Sequence, residues 1–298
     1  MAKLENRALQ DFGQAQRDRL AFIELKLLCQ GMLTRADLFN RFRIQGAAAT
    51  RDFGLYQILA PGNVVYNRQS KSYEYGHDFK PLFNFDSSRL LAWIKTGYSE
   101  GEPRPTTTQF LCSSLKHLAM PALHLVSVLS RAIYQHKPVA ITYSSMHSLR
   151  KETREIVPFA FVDNGQRWHV RAYDRKNQRF SDFVLLRIEN ANILPGFAQD
   201  HETPEQDTQW SRYVEAEVVP HPRLSETEQR IVASEFQMKN GVYFLRERAA
   251  VIGYVLRNYI IDCSKDHHLD DPSCFLWLKD PLVLYKVDSA NIAPAYQE

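Results

Sequence analysis

Long apolar runs are missing from this chain. No hydrophobic stretch approaches the ~20 residues a helix needs to cross a bilayer, and the opening Met1-Ala2-Lys3-Leu4-Glu5-Asn6 lacks the apolar segment of a secretion signal. Cysteine is scarce: Cys29, Cys112, Cys263 and Cys274 are scattered and form no CxxC pair. That excludes a disulfide framework and makes a reducing cytoplasm the expected compartment. Internal repeats and low-complexity tracts are absent as well. No nucleophile–base pair and no acid pair stands out, and Ser144-Ser145 beside His147 is too common a grouping to mark one. A nuclease or nucleotide hydrolase would need an acidic metal cluster or an activated nucleophile in the basic part of the chain, and neither is visible there. The expectation is therefore a protein that is not an enzyme, needs no cofactor and does not enter membranes.

What is present is an ordinary globular composition, 298 residues with 44% hydrophobic and 24% charged, enough for two or three domains with their own cores. The net charge of +3 conceals a division along the chain. Residues 1–80 hold 12 Lys/Arg against 8 Asp/Glu, residues 81–136 hold 5 against 3, residues 137–195 hold 10 against 6, and residues 196–298 hold 10 against 17. Two basic modules thus precede an acidic one, and the asymmetry points to an anionic or nucleic-acid partner for the first two-thirds.

The first module reads as three helices and a hairpin. From Gln14 to Gln30 apolar residues recur at helical spacing and Gly31 stops the run. Thr34 with Asp37 resembles a capping box that opens a helix over 35–42. A third helix runs from Ala47 to Leu59, and strands over 63–67 and 72–75 flank the basic tip Arg68-Gln69-Ser70-Lys71. That order is a winged helix-turn-helix, whose third helix enters the major groove while the hairpin follows the backbone. Gln45, Thr50, Arg51 and Gln57 are the candidates for reading bases; Arg43, Arg68, Lys71 and Tyr73 are the candidates for phosphates. The plainer alternative is a solvated helical domain used for protein contacts. A short helix over 88–97 follows. The stretch 97–108, rich in proline and threonine, reads as a linker that lets this domain move, and a helix over 118–134 leads into the next module.

Between Pro138 and Leu194 the pattern changes to period two. Ile141 and Tyr143, Ile156 and Pro158, Trp168 and Val170, then Val184, Leu186 and Ile188 supply about five short strands. In Arg167-Trp168-His169-Val170-Arg171-Ala172-Tyr173-Asp174 the alternation sets Trp168, Val170 and Ala172 on a core face. It sets His169, Arg171 and Tyr173 on a cationic, hydrogen-bonding face. The ordered set Pro138-Val139-Ala140-Ile141-Thr142-Tyr143-Ser144, Arg154-Glu155-Ile156-Val157-Pro158, Gly165-Gln166-Arg167-Trp168-His169-Val170 and Phe183-Val184-Leu185-Leu186-Arg187-Ile188 resembles a WYL domain, the ligand-sensing module of bacterial transcription regulators. Trp168-His169-Val170 stands where that family carries Trp-Tyr-Leu. The resemblance implies a small Sm-like, SH3-type barrel with a pocket. By position it nominates Tyr143, Ser145, His147, Arg154, His169, Arg171, Tyr173 and Arg187 for a nucleotide, oligonucleotide or single-stranded effector. Arg187 has the alternative of pairing with Glu189 or Asp182 on the surface, and Trp168 reads as core.

The acidic module runs strand (214–219), helix (225–236, capped by Ser225 with Glu228), strand (242–245), helix (249–260). After a WYL domain this resembles the dimerisation extension of those regulators, with Arg246 and Arg248 reaching toward the partner's effector site. Cys263, His267, His268 and Cys274 are zinc-ligating residue types, but their spacing matches no standard site. The whole is expected to be an α+β multidomain protein. Its parts are a DNA-binding domain over 1–96, a linker over 97–123, a sensing domain over 124–196 and a dimerisation domain over 207–298. The resemblance, which extends to the compact repressors of BREX and CBASS phage-defence islands, implies a homodimer on an inverted-repeat operator. An accessory nucleic-acid-binding subunit without a promoter is the rival reading.

Overall fold

A computed structural model describes residues 9, 11–96, 117–146 and 149–297. Its contacts divide into two compact units, residues 1–160 with 170–197, and residues 161–169 with 198–298.

The first unit begins with α1 (Gln14–Gln30), which ends at Gly31 in the left-handed region, φ 75°. After the short strand β1 (Met32–Leu33) come α2 (Arg35–Phe42) and α3 (Gly46–Leu59). The hairpin β2 (Val64–Asn67) and β3 (Ser72–Tyr75) completes a three-stranded sheet ordered β1-β3-β2. The Thr34 box is formed: the Asp37 carboxylate accepts from the Thr34 backbone N–H at 2.7 Å and from its hydroxyl at 2.9 Å. α1 carries two apolar stripes because it has two partners. It lies against α3 inside the winged helix and against α5 (Leu123–Tyr134) beyond it. Between them in the chain is α4 (Ser87–Thr96). α5 begins five residues later than its apolar pattern predicts, since Pro121 resists entry into a helix from the preceding residues.

The last carbonyls of a helix have no partner within it, and in α1 they are taken by side chains of α5. Ser127 Oγ donates to the Leu28 carbonyl at 2.8 Å, Ser130 Oγ to that of Cys29 at 2.8 Å, and Gln135 Nε2 to that of Gln30 at 3.2 Å. The Arg131 guanidinium lies 3.8 Å from the centroid of the Tyr75 ring on β3. Residues 97–116 of the expected linker lie outside the described residues, but the segments on either side of it are joined directly by these contacts.

From α5 the chain enters a five-stranded sheet of β4 (Val139–Ser144), β5 (Lys151–Asp163), β6 (Trp168–Asp174), β7 (Arg179–Val184) and β8 (Ile188–Ile193), ordered β7-β6-β5-β4-β8. β4 pairs antiparallel with β5 on one side and β8 on the other, with an irregularity between Thr142 and Tyr143. The number of strands agrees with the sequence; the closed barrel does not. Among the described residues β7 and β8 are the two edges, joined through the 3-10 turn Leu185–Arg187 rather than by a ladder.

The second unit holds the helical turn α6 (Thr208–Ser211), then β9 (Tyr213–Pro220), α7 (Glu226–Glu235), β10 (Tyr243–Arg248), α8 (Ala249–Asn258) and β11 (Leu276–Leu278). β9 is the central strand of a sheet ordered β10-β9-β11, antiparallel to both neighbours. Val214, Ala216 and Val218 alternate into a core completed by Ile252, Leu256, Leu276, Leu278 and Leu284. The Ser225 box is formed, with Ser225 N–H donating to Glu228 Oε2 at 2.8 Å.

Candidate nucleic-acid interface and effector site

The N-terminal end of α3 is open. Gln45, Gly46, Ala47, Thr50, Arg51 and Gln57 are exposed, while Ala49, Asp52, Phe53 and Tyr56 on the opposite side are buried. Small residues at the helix start let a backbone or base edge come close; Arg51 supplies a bidentate donor of the kind that reads guanine, and the Gln57 amide a donor and an acceptor of the kind that read adenine. Arg43, at φ 55° beyond the end of α2, is exposed, as are Arg68 and Lys71 at the hairpin tip. Asp52 faces inward, where it receives Arg19 Nε at 2.6 Å.

Tyr73 departs from its expected role. It is 5% exposed and stacked on Phe53, centroids 3.7 Å apart at 5°. Its hydroxyl accepts from Arg35 Nη2 at 3.0 Å. A buried, engaged phenol cannot reach a phosphate. Arg35, which sequence reasoning missed, is exposed and lies 5.7 Å from the centroids of both Tyr66 and Tyr73. The signal was Tyr66 and Tyr73 on paired strands, directly opposite each other in register.

Beneath this surface Glu24 of α1 is fully buried. Its Oε2 accepts from the Tyr56 hydroxyl at 2.8 Å and from Leu82 N–H at 2.8 Å, and its Oε1 accepts from Phe83 N–H at 2.9 Å. Asn63 donates to the Tyr56 oxygen at 3.1 Å and to the Lys80 carbonyl at 2.7 Å. The network ties α3 to α1 and to both ends of the hairpin, which sets the angle at which α3 is presented. Burial outweighs these donors and raises the Glu24 carboxyl to about 7.

The residues nominated for an effector are arranged differently from the alternation. β6, flanked by β5 and β7, is buried at every position, on both faces. His169, Arg171 and Tyr173 therefore do not form an open cationic face. Arg171 is 5% exposed and its Nη1 meets Asp182 Oδ1 at 2.9 Å. Tyr173 packs edge-on against Phe180 at 5.2 Å. Tyr143 is buried, edge-on to Phe183 at 5.1 Å, its hydroxyl accepting from Val184 N–H at 3.4 Å. His169 belongs to the second unit, where its ring lies 5.2 Å from that of Tyr254 on α8.

Arg154 is half-buried between Asp174 at 2.7 Å and Glu152 at 3.3 Å. Lys176, and after it Arg154, holds the Glu152 carboxyl below its ordinary range. Arg187 is half-buried on the 3-10 turn. It does not take the surface partners considered for it: Asp182 pairs with Arg171, and Glu189 with Lys151. Ser145 is half-buried and its N–H donates to the Arg150 carbonyl at 3.1 Å, while His147 lies outside the described residues.

The four potential zinc residues do not converge. Cys263 and Cys274 are buried, with thiols donating to the Ile261 and Leu276 carbonyls at 3.3 Å each. Burial pushes both thiols up. His267 and His268 are exposed. Among the described residues no cluster of His, Cys, Asp or Glu is arranged to hold a metal ion, and no helix is long and apolar enough to cross a membrane.

Three family profiles match in succession. They are the BrxR transcriptional regulator winged helix-turn-helix domain over residues 15–96, the WYL domain over 124–193, and the BrxR transcriptional regulator C-terminal dimerization domain over 213–284. Among curated proteins, the DNA-binding transcriptional repressor CapW of Stenotrophomonas maltophilia is 31% identical over 252 residues, 82% of each chain. Its namesake from Pseudomonas aeruginosa is 29% identical over 81% of each chain, and that from Escherichia coli strain KTE188 is 28% identical over 85% of each. With these profiles in order and such identity over four-fifths of its length, the chain belongs to the BrxR and CapW family of WYL-domain transcriptional regulators.

Proposed function

We propose that this protein is a homodimeric, sequence-specific repressor that binds an inverted repeat in the promoter of its own or a neighbouring phage-defence operon. The observation that carries the reading is the exposed face of α3: Gln45, Thr50 and Arg51 at its start and Gln57 near its end are exposed, as are Arg35, Arg43, Arg68 and Lys71. Relatives named as DNA-binding repressors and a matching dimerization domain support it. In a twofold dimer the two α3 helices meet half-sites whose centres are about 34–36 Å apart, or a multiple of that. A mobility-shift titration on DNA upstream of the protein's own operon, against random duplex, tests this. Nanomolar binding that resists competitor is expected, and Arg51→Ala is expected to weaken it by about 10-fold or more, in line with ~1–3 kcal/mol per base-reading pair, leaving the dimer intact. Binding that vanishes with competitor or salt would mean that only the backbone is read and would favour the accessory-subunit reading.

The reading includes an effector of nucleotide, oligonucleotide or single-stranded type in the WYL domain. Arg154 and Arg171 are held by Asp174 and Asp182, so an incoming phosphate exchanges one anion for another instead of filling an empty site. Such exchange alters the dimer only when the effector binds its two shapes with different affinity. The test leaves Arg171 in place, since it is buried and paired with Asp182. Arg154→Ala combined with Arg187→Ala is expected to spare operator binding and abolish release by single-stranded DNA or nucleotides; a full response in that variant moves the effector site elsewhere.

A further inference from the structure

The sheet of the second unit ends on β10, which has β9 on one side and no strand on the other among the described residues. The strand is not shielded. Tyr243, Phe244 and Arg246 are exposed, Phe244 to 68%. A sheet edge that shows open backbone groups beside large apolar side chains is a template for another strand, and proteins that keep such edges single usually blunt them with proline, lysine or a bulge. β10, Tyr243-Phe244-Leu245-Arg246-Glu247-Arg248, has none of these.

Its outer face is also braced. The Arg248 guanidinium lies 4.5 Å from the Trp210 centroid and 4.8 Å from that of Tyr213, and the Arg246 guanidinium lies 4.1 Å from the Tyr213 centroid. Rings and cations interleave along the strand and reduce the side-chain freedom that would be lost on docking.

We propose that β10 is the seam of the homodimer, pairing antiparallel with β10 of a second copy across a twofold axis to make one sheet through both subunits. The proposal rests on the homodimer reading above and deepens it. Two observations select a second copy as the occupant. The strand lies inside the segment that matches a dimerization domain, and its sequence is self-complementary. A twofold at Leu245 sets Phe244 opposite Arg246 of the partner subunit, Tyr243 opposite Glu247 of the partner subunit, and Leu245 opposite itself. Phe244 and Arg246 share the outer face, facing Glu217 and Glu215 of β9, so each seam pair there joins a cation to a ring. A twofold at Arg246 would oppose two arginines and is disfavoured.

The test is sedimentation of full-length protein with a cross-linking arm. Wild type is expected to be a dimer and Phe244→Asp to raise its dissociation constant about 30-fold or more, the effect of a central interface residue. Phe244 is exposed within its own subunit, so this variant folds. In a Cys112→Ser background, Phe244→Cys with Arg246→Cys is expected to give a covalent dimer on mild oxidation, since opposed antiparallel residues sit about 4.5–5.5 Å apart at Cα, within disulfide reach. Each single cysteine is expected to stay uncross-linked. A monomeric wild type would overturn the homodimer and the seam with it. A dimeric wild type whose Phe244→Asp variant stays dimeric, with no cross-link in the double variant, keeps the homodimer and overturns the seam. Cross-linking by either single variant keeps the strand and overturns the register.

Discussion

Glu24→Gln is expected to remove a pH dependence of winged-helix stability that is expected of the wild type between about pH 4.5 and 7. Below 4.5 the carboxyl is protonated in both the folded and the unfolded chain. As the pH rises the unfolded chain releases its proton first, while the buried group keeps its own until about 7. The folded-state value is the raised one, so the stability it contributes is whole below 4.5 and is lost as the pH rises through 7. The loss amounts to roughly 3 kcal/mol. Glutamine cannot ionise, so the slope should flatten. It also turns an amide N–H toward Phe83 N–H or Leu82 N–H, so the variant should be less stable than wild type at low pH. Hydrogen exchange of α1 and α3 across a urea series at pH 5, 6, 7 and 8 reads both effects. Parallel slopes in the two proteins would show that Glu24 is not the titrating group.

The other large effect lies in the second unit. A Cβ added to Gly253 on α8 would stand 1.8 Å from the Ser289 carbonyl oxygen and 2.5 Å from its carbon. The approach is fixed from both sides, because Gly253 N–H donates to Ser289 Oγ at 3.0 Å and Ser289 Oγ donates to the Ala249 carbonyl at 2.6 Å. Backbone must shift to admit any side chain, and Gly253→Val is expected to cost about 3 kcal/mol or more. Gly54 of α3 is the contrast: nothing lies within 4 Å of a Cβ placed there, so Gly54→Ala is expected to gain roughly 0.5–1 kcal/mol from helix propensity. Urea midpoints of the two variants should move in opposite directions. A neutral Gly253→Val would mean that α8 and the 288–292 turn are not held as tightly as their hydrogen bonds imply.

Local chemistry was well written in the sequence. The Thr34 and Ser225 boxes, the Gly31 stop and the hairpin tip were readable because each depends on residues within four positions of one another. The reading failed where an answer depended on distant partners. Alternation in β6 placed Arg171 outside, since a lone arginine reads as solvated. Its neighbour across the sheet, Asp182, eleven residues on, offsets the burial of the charge. Tyr73 misled for the same reason: stacking on Phe53 and holding Arg35 are contacts between different elements. The strand count of the WYL segment was legible from period two, but closure depends on how β7 meets β8, which no local pattern records.

Ser127, Ser130 and Gln135, polar residues on and just beyond an apolar helix, finish a helix that ended about a hundred residues earlier. This has a consequence for how such regulators can be recombined. Profiles that part the chain at 96 and 124 suggest two interchangeable cassettes. A winged helix transplanted at that border would leave its α1 carbonyls uncapped and Tyr75 without the Arg131 cation. Chimeras that keep the winged helix together with α5, with their crossover after residue 135, are therefore expected to be more stable than those joined between 96 and 124.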